Sequence, residues 1–138
     1  MIKVKDLYPL ILEAFKEDKS FTMPIHGTSM QPLLHTGDSV ILVKPDCINK
    51  DDIVFFIRED GDFVLHRVYK INNDGSYEII GDHQVVIEHN IKREQIFARV
   101  EAIKINNRVK PLKGFFYRLY LLTLKSFFIR RVYIKCLR

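Results

Sequence analysis

Three short segments of this 138-residue chain carry side chains able to do covalent chemistry together. The first, Gly27-Thr28-Ser29-Met30-Gln31-Pro32-Leu33-Leu34-His35-Thr36-Gly37-Asp38, sets a serine in a turn between two strand-like runs. Gly27 lets another backbone approach and Pro32 fixes the exit direction, so a serine there presents Oγ and a backbone N–H side by side. The second, Val64-Leu65-His66-Arg67-Val68, interrupts a hydrophobic strand with a histidine. The third, Ile80-Gly81-Asp82-His83, puts a carboxylate in a turn. A serine hydroxyl becomes nucleophilic only beside a base, and imidazole titrates near neutrality. Taken singly, each segment also has a plain structural reading: a turn, a half-buried histidine, a solvated aspartate. His26 and His35 flank the serine turn and read as surface residues. His83, Glu88 and His89 follow no metal-ligand spacing, so neither a metal nor another cofactor is expected.

The elements that must position these groups are mostly strands. Leu7, Leu10, Ile11, Ala14 and Phe15 fall on one helical stripe, which predicts an amphipathic helix within residues 1–20, with Asp6 as its N-cap. Short β-branched and aromatic runs at 40–43, 53–57, 63–71, 77–80 and 95–105 then predict strands separated by turn signals. Glu59-Asp60-Gly61-Asp62 reads as a hairpin with a type I′ turn, Asn72-Asn73-Asp74-Gly75 as a second turn, and Asn106-Asn107 as the end of the last strand. The expected fold class is mainly β: an antiparallel domain over residues 21–107, with a short helix before it and an amphipathic helix after it.

In their order, these segments resemble the type I signal peptidases, over roughly residues 23–100. Ser29-Met30-Gln31-Pro32 is similar to the nucleophile box, and Leu65-His66-Arg67-Val68 to the base box. Gly37-Asp38-Ser39-Val40 and Asp52-Ile53-Val54-Phe55 resemble the two structural boxes, and Gly81-Asp82 the last one. Many bacterial members use lysine as base, whereas the archaeal and endoplasmic-reticulum branch uses histidine, which this chain has at His66. The resemblance implies a serine endopeptidase in which Ser29 attacks a peptide carbonyl and His66 carries its proton. It implies a third, acidic residue that orients His66. Asp82 is the better motif match and Glu88 the rival. It also implies oxyanion or substrate contacts from Gly27, Thr28 and Met30, with Gly27 standing where many relatives carry a serine. Self-cleaving repressors of the LexA type share the fold. They use lysine where His66 stands, and they need an Ala-Gly or Cys-Gly bond that this sequence does not contain. A non-catalytic peptide-binding or membrane-docking module of the same fold is the alternative.

Charge is unevenly placed. Residues 108–138 hold nine Lys or Arg and no Asp or Glu, which leaves the first 107 residues at −4 within a total of +5. Phe115, Leu119, Leu122, Ile129 and Tyr133 form one apolar stripe, with Arg131, Lys135 and Arg138 as a basic one. Residues 108–138 are therefore expected to be a basic tail, with an amphipathic helix over 114–138 lying on an anionic membrane surface; packing of its apolar face on the β domain or on a partner is the alternative. Truncation after Lys110 would on the membrane reading leave a folded domain. No run of ~18 uncharged apolar residues is present. The expected partners are a peptide or preprotein substrate and the membrane, not nucleic acid, at the cytoplasmic face.

Overall fold

A computed structural model describes residues 3–136, apart from the side chains of Phe128, Tyr133 and Cys136. Helix α1 (Val4–Lys16) is followed by β1 (Phe21–Pro24), β2 (Ser39–Val43), β3 (Ile53–Ile57), β4 (Phe63–Ile71), β5 (Tyr77–Ile80), β6 (Glu88–Ile91), β7 (Ile96–Ile105) and β8 (Arg108–Pro111). Helices α2 (Phe115–Leu124) and α3 (Phe127–Cys136) complete the described chain. All the strand pairings are antiparallel and run β1-β2-β7-β3-β4-β5-β6, with β8 also on β7. Strand β7 is long enough to serve three partners. Its second half pairs β8, its first pairs β3, and β2 runs along the opposite flank. The expected fold class is the one observed.

The uninterrupted apolar run of β3 explains its central place. Side chains alternate between the two faces of a strand, so such a run is stable only where both faces are covered. Phe55 enters one core with Ile11, Phe15, Met30, Leu34 and Phe97, while Val54 and Phe56 enter a second with Val68, Ile79 and Ile96. Helix α1 contributes Ile11 and Phe15 to the first core, but Leu10 stays 57% exposed, so the buried stripe is narrower than the sequence suggests. Asp6 is not the N-cap. It lies inside the first turn and accepts the Lys3 N–H at 3.2 Å.

The turns are also more varied than expected. At 58–62 and 72–76 the chain makes a three-residue loop, in which Gly61 (φ +95°) and Gly75 (φ +88°) take the left-handed position. The preceding residues keep negative φ, so neither is a type I′ turn. The turn with two positive-φ residues is at Asn106 (φ 51°) and Asn107 (φ 62°). It does not end the sheet but starts the β7–β8 hairpin.

The C-terminal segment departs most from expectation. It is two helices, broken at Lys125-Ser126, where Arg130 Nε donates to the Leu124 carbonyl at 2.7 Å and so closes the end of α2. Its inward face is not the apolar stripe. Phe115, Leu119 and Leu122 are exposed, and Tyr117, Tyr120, Leu124 and Arg130 turn towards the sheet. Arg131 and Lys135 are exposed, while Arg138 and the Tyr133 side chain lie outside what is described. The segment is thus packed onto the β domain rather than held apart as a tail. No described helix is long and apolar enough to cross a membrane.

Candidate active site

Ser29 lies in the loop between β1 and β2. The neck of that loop is closed by Ile25 N–H donating to the Asp38 carbonyl (2.9 Å) and Gly37 N–H to the Ile25 carbonyl (3.1 Å). Met30 and Leu34 are buried and anchor the turn in the first core, which leaves Ser29 half-buried at its rim. Gly27 has φ +98°, a conformation L side chains rarely adopt, and this is the physical reason for glycine there. Its N–H donates to Thr36 Oγ1 at 3.0 Å, and the same hydroxyl donates back to the Gly27 carbonyl at 3.1 Å. The Gly27 donor is thus engaged within the loop, and Gly27 itself lines the groove beside Ser29. The N–H groups of Ser29 and Met30 engage no acceptor among the described residues and are available to one. Thr28 is exposed beside them, with its carbonyl accepting the Gln31 N–H.

His66 is buried on β4. Its Nδ1 lies 3.1 Å from Glu88 Oε2, and the other Glu88 oxygen accepts from Arg58 Nε at 2.6 Å. A carboxylate only accepts, so the imidazole proton sits on Nδ1 and Nε2 carries the lone pair. Burial lowers the pKa of His66 below its ordinary 6.5, with Glu88 acting against the shift, so the ring is neutral at neutral pH. Glutamate suits this position for a geometric reason. Glu88 is on β6, two strands from β4 with β5 between, a span of about 9.6 Å at ~4.8 Å per strand. A long side chain is needed to cross it.

The preference for Asp82 as the acid beside His66 is corrected by this geometry. Successive residues on β4 point to opposite faces, and Asp82 belongs to Arg67, the neighbour of His66. Both Asp82 oxygens are 2.8 Å from the Arg67 fork, and the Tyr120 hydroxyl donates to Oδ2 at 2.8 Å. Arg67 also donates to the Asp51 carbonyl and to Tyr117 Oη, each at 2.7 Å. Burial works against its charge, but Asp82 outweighs that and raises its pKa further. The pair is buried, and among the described residues Asp82 makes no hydrogen bond to the imidazole.

Ser29 and His66 share no hydrogen bond among the described residues. Their surroundings nevertheless meet at one point. Arg67 pairs with Ile80, so Gly81 falls opposite His66 one step on in the same register. The Ser29 carbonyl lies against Gly81 so closely that a Cβ there would stand 2.6 Å from it, and it accepts the His83 N–H at 2.9 Å. The nucleophile turn is therefore seated on the strand end that flanks the histidine. His89 pairs instead with Glu78, so His89 and Glu88 serve different partners. Arg58, Arg67, Tyr117, Tyr120 and Arg130 were not singled out from sequence. A cation or tyrosine carries no local sign of the distant polar partner that it will meet.

Beside Ser29 runs a groove of about 470 Å³, bounded by Leu7 of α1, Phe21 and Met23 of β1, and Phe55, Phe63 and Leu65. Strand β1 forms one edge of the sheet, with β2 on one flank and no further strand on the other among the described residues. A sequence model of the family described as peptidase S24-like matches residues 2–101, which include Ser29, His66, Asp82 and Glu88. No curated protein matches the chain.

Proposed function

The chain belongs to the S24-like peptidase family, within the superfamily of LexA-type and signal-peptidase-type serine peptidases, and from that premise we propose that it is a serine endopeptidase cutting extended peptides with Ser29, His66 and Glu88. The observation that carries the proposal is the buried imidazole whose Nδ1 is held by a carboxylate at 3.1 Å. A histidine so held is a base at Nε2 and nowhere else. In the proposed reaction His66 Nε2 takes the Ser29 Oγ proton as Oγ bonds to the scissile carbonyl carbon. The Ser29 and Met30 N–H groups receive the oxyanion. The C–N bond then breaks, and the proton on His66 passes to the leaving amine. Water attacks the acyl ester by the same route, which restores Ser29 and releases the acid.

The open edge of β1 supports binding of the substrate as an added strand, since β1 leads directly into the loop that holds Ser29. The groove favours apolar side chains, as in leader or signal peptides. The test is a Ser29→Ala protein incubated with a pool of unstructured peptides and preproteins, with bound and cleaved species identified by mass spectrometry. Species cut by the wild type and retained intact by the variant support the reading. A wild type that cuts nothing the variant spares rejects it.

We also place the enzyme at the cytoplasmic face of an anionic membrane. Phe115, Phe116, Leu119 and Leu122 stand 73%, 83%, 47% and 59% exposed on α2, with Arg118 among them. Basic residues near such a surface add ~1 kcal/mol each. Sedimentation with phosphatidylserine-containing vesicles should fall with salt and in Phe115→Ser/Phe116→Ser. Equal binding to neutral vesicles would remove the electrostatic part, and no binding at all would remove the whole placement.

A further inference from the structure

The S24-like match ends at residue 101, yet the loop that seats Ser29 is held by a residue well beyond it. Arg130 of α3 is 1% exposed. Its Nη1 donates to the carbonyls of Gly81 (2.9 Å), Asp82 (3.3 Å) and Gln84 (3.3 Å), and its Nε to the Leu124 carbonyl at 2.7 Å. One guanidinium thus gathers three carbonyls of the 81–84 turn and ties them to the end of α2. The same turn holds the nucleophile from its other side, through the His83 N–H to the Ser29 carbonyl and the close approach of Gly81. The path from Arg130 to Ser29 therefore passes through a single tight turn.

We infer that Arg130 is a positioning residue for the nucleophile, and that the α2–α3 pair is a working part of the catalytic turn rather than an appendage to it. This rests on the serine-peptidase reading. The chemistry asks for a planar fork. Nη1 meets the three carbonyls of the turn while Nε, at another corner of the same rigid plane, meets the Leu124 carbonyl; a lysine ammonium is a single point of charge and cannot hold both the turn and the end of α2. Without the fork the turn keeps its covalent path but loses what fixes its height against Ser29. A shift of about 1 Å in a nucleophile can cost ~10²-fold.

The test compares Arg130→Lys and Arg130→Ala with wild type in three measurements: thermal unfolding, amide exchange at His83 and Gln84, and kcat and KM on a peptide cut by the wild type. The expected result for Arg130→Lys is a cooperative fold, faster exchange at His83, a 10–100-fold lower kcat and a KM within about threefold. Ethylguanidinium added to Arg130→Ala should restore both His83 protection and kcat. Unchanged His83 exchange in both variants overturns the inference. So does a kcat that falls only in proportion to the fraction unfolded. Loss of folding in both variants would make Arg130 a core residue and likewise overturns it. If the wild type cuts no peptide, the peptidase reading fails by itself, and the exchange at His83 still decides whether Arg130 holds the turn.

Discussion

Replacing Glu88 with glutamine should disable the base by reversing the tautomer of His66, and Arg58 is the reason. In the native site the two carboxylate oxygens serve two donors, Arg58 Nε at 2.6 Å and His66 Nδ1 at 3.1 Å. Glutamine has one oxygen and one NH₂ group. Arg58 can only donate, so the shorter of the two bonds keeps the oxygen and the NH₂ group faces Nδ1. Nδ1 must then accept, which moves the ring proton to Nε2 and removes the lone pair that Ser29 needs. In another serine peptidase a tautomer error of this kind costs ~10⁴ in kcat; with Glu88 partly exposed, water can intervene, so a fall between ~10² and ~10⁴ is expected here. Removing Arg58 as well should reverse much of the loss. In Arg58→Ala/Glu88→Gln the amide is free to turn its oxygen to Nδ1. What remains missing is the difference between a charged and a neutral acceptor, about 1–1.5 kcal/mol or roughly tenfold. The assay is kcat on a peptide the wild type cuts, followed by mass spectrometry, with imidazole ¹⁵N shifts reporting the tautomer. A Glu88→Gln enzyme within threefold of wild type, or a double variant slower than the single one, would refute this reasoning.

Asp82→Asn should act on stability first. It breaks a buried ion pair and should cost about 3–5 kcal/mol of unfolding free energy by urea titration, whereas Glu88→Gln should cost far less; a stable but inactive Asp82→Asn would return that residue to the catalytic group. Because burial depresses the His66 pKa below 6.5, kcat/KM should hold down to pH 6.5 and fall only below it, and an acid limb above 6.5 would contradict the buried, neutral base. The same shift has a stability consequence: His66 binds its proton in the unfolded chain first, so stability is kept above pH 6.5 and is lost as pH falls through the folded pKa. Gly81→Ala must move the Ser29 carbonyl, since its Cβ would lie 2.6 Å away, so kcat should fall by ten-fold or more with His66 titration unchanged. Activity equal to wild type would show that the turn and Gly81 move independently.

The strands that the sequence reveals are those whose physics is local. β3 is an unbroken apolar run, and β4 and β5 are bounded by glycine turns, so their extents match the reading to within a residue. β6 is Glu-His-Asn-Ile, poor in strand formers, and exists because β5 supplies the pairing. Ser29 and His66 stand out as candidates through residue order, since their boxes are contiguous in sequence. The choice between Asp82 and Glu88 depended on which face of β4 each carboxylate meets, and it turned on Arg67, whose burial is a tertiary fact. The C-terminal helices mislead for a related reason. Their apolar stripe is real, but the Tyr117 and Tyr120 hydroxyls satisfy the buried Arg67–Asp82 pair and Arg130 satisfies buried backbone carbonyls, and that need outranks hydrophobic pattern at this face.

The reach of Asp82 beyond the matched segment bears on how this protein can be cut, fused or transplanted. Arg67 and Asp82 lie within residues 2–101, while Tyr117, Tyr120 and Arg130, which complete their surroundings, lie outside. A graft trimmed to the recognisable portion would carry a buried cation and anion into a new setting with half of their partners left behind. A library of chimaeras joined near residue 101 would therefore be depleted of folded members unless both parents supply matching helices. A junction at the Asp60-Gly61 hairpin tip keeps Arg67, Asp82, Tyr117, Tyr120 and Arg130 on one side, whereas one at Asp74-Gly75 parts Arg67 from Asp82 and Tyr117. The unit to move is the β sheet together with its two closing helices.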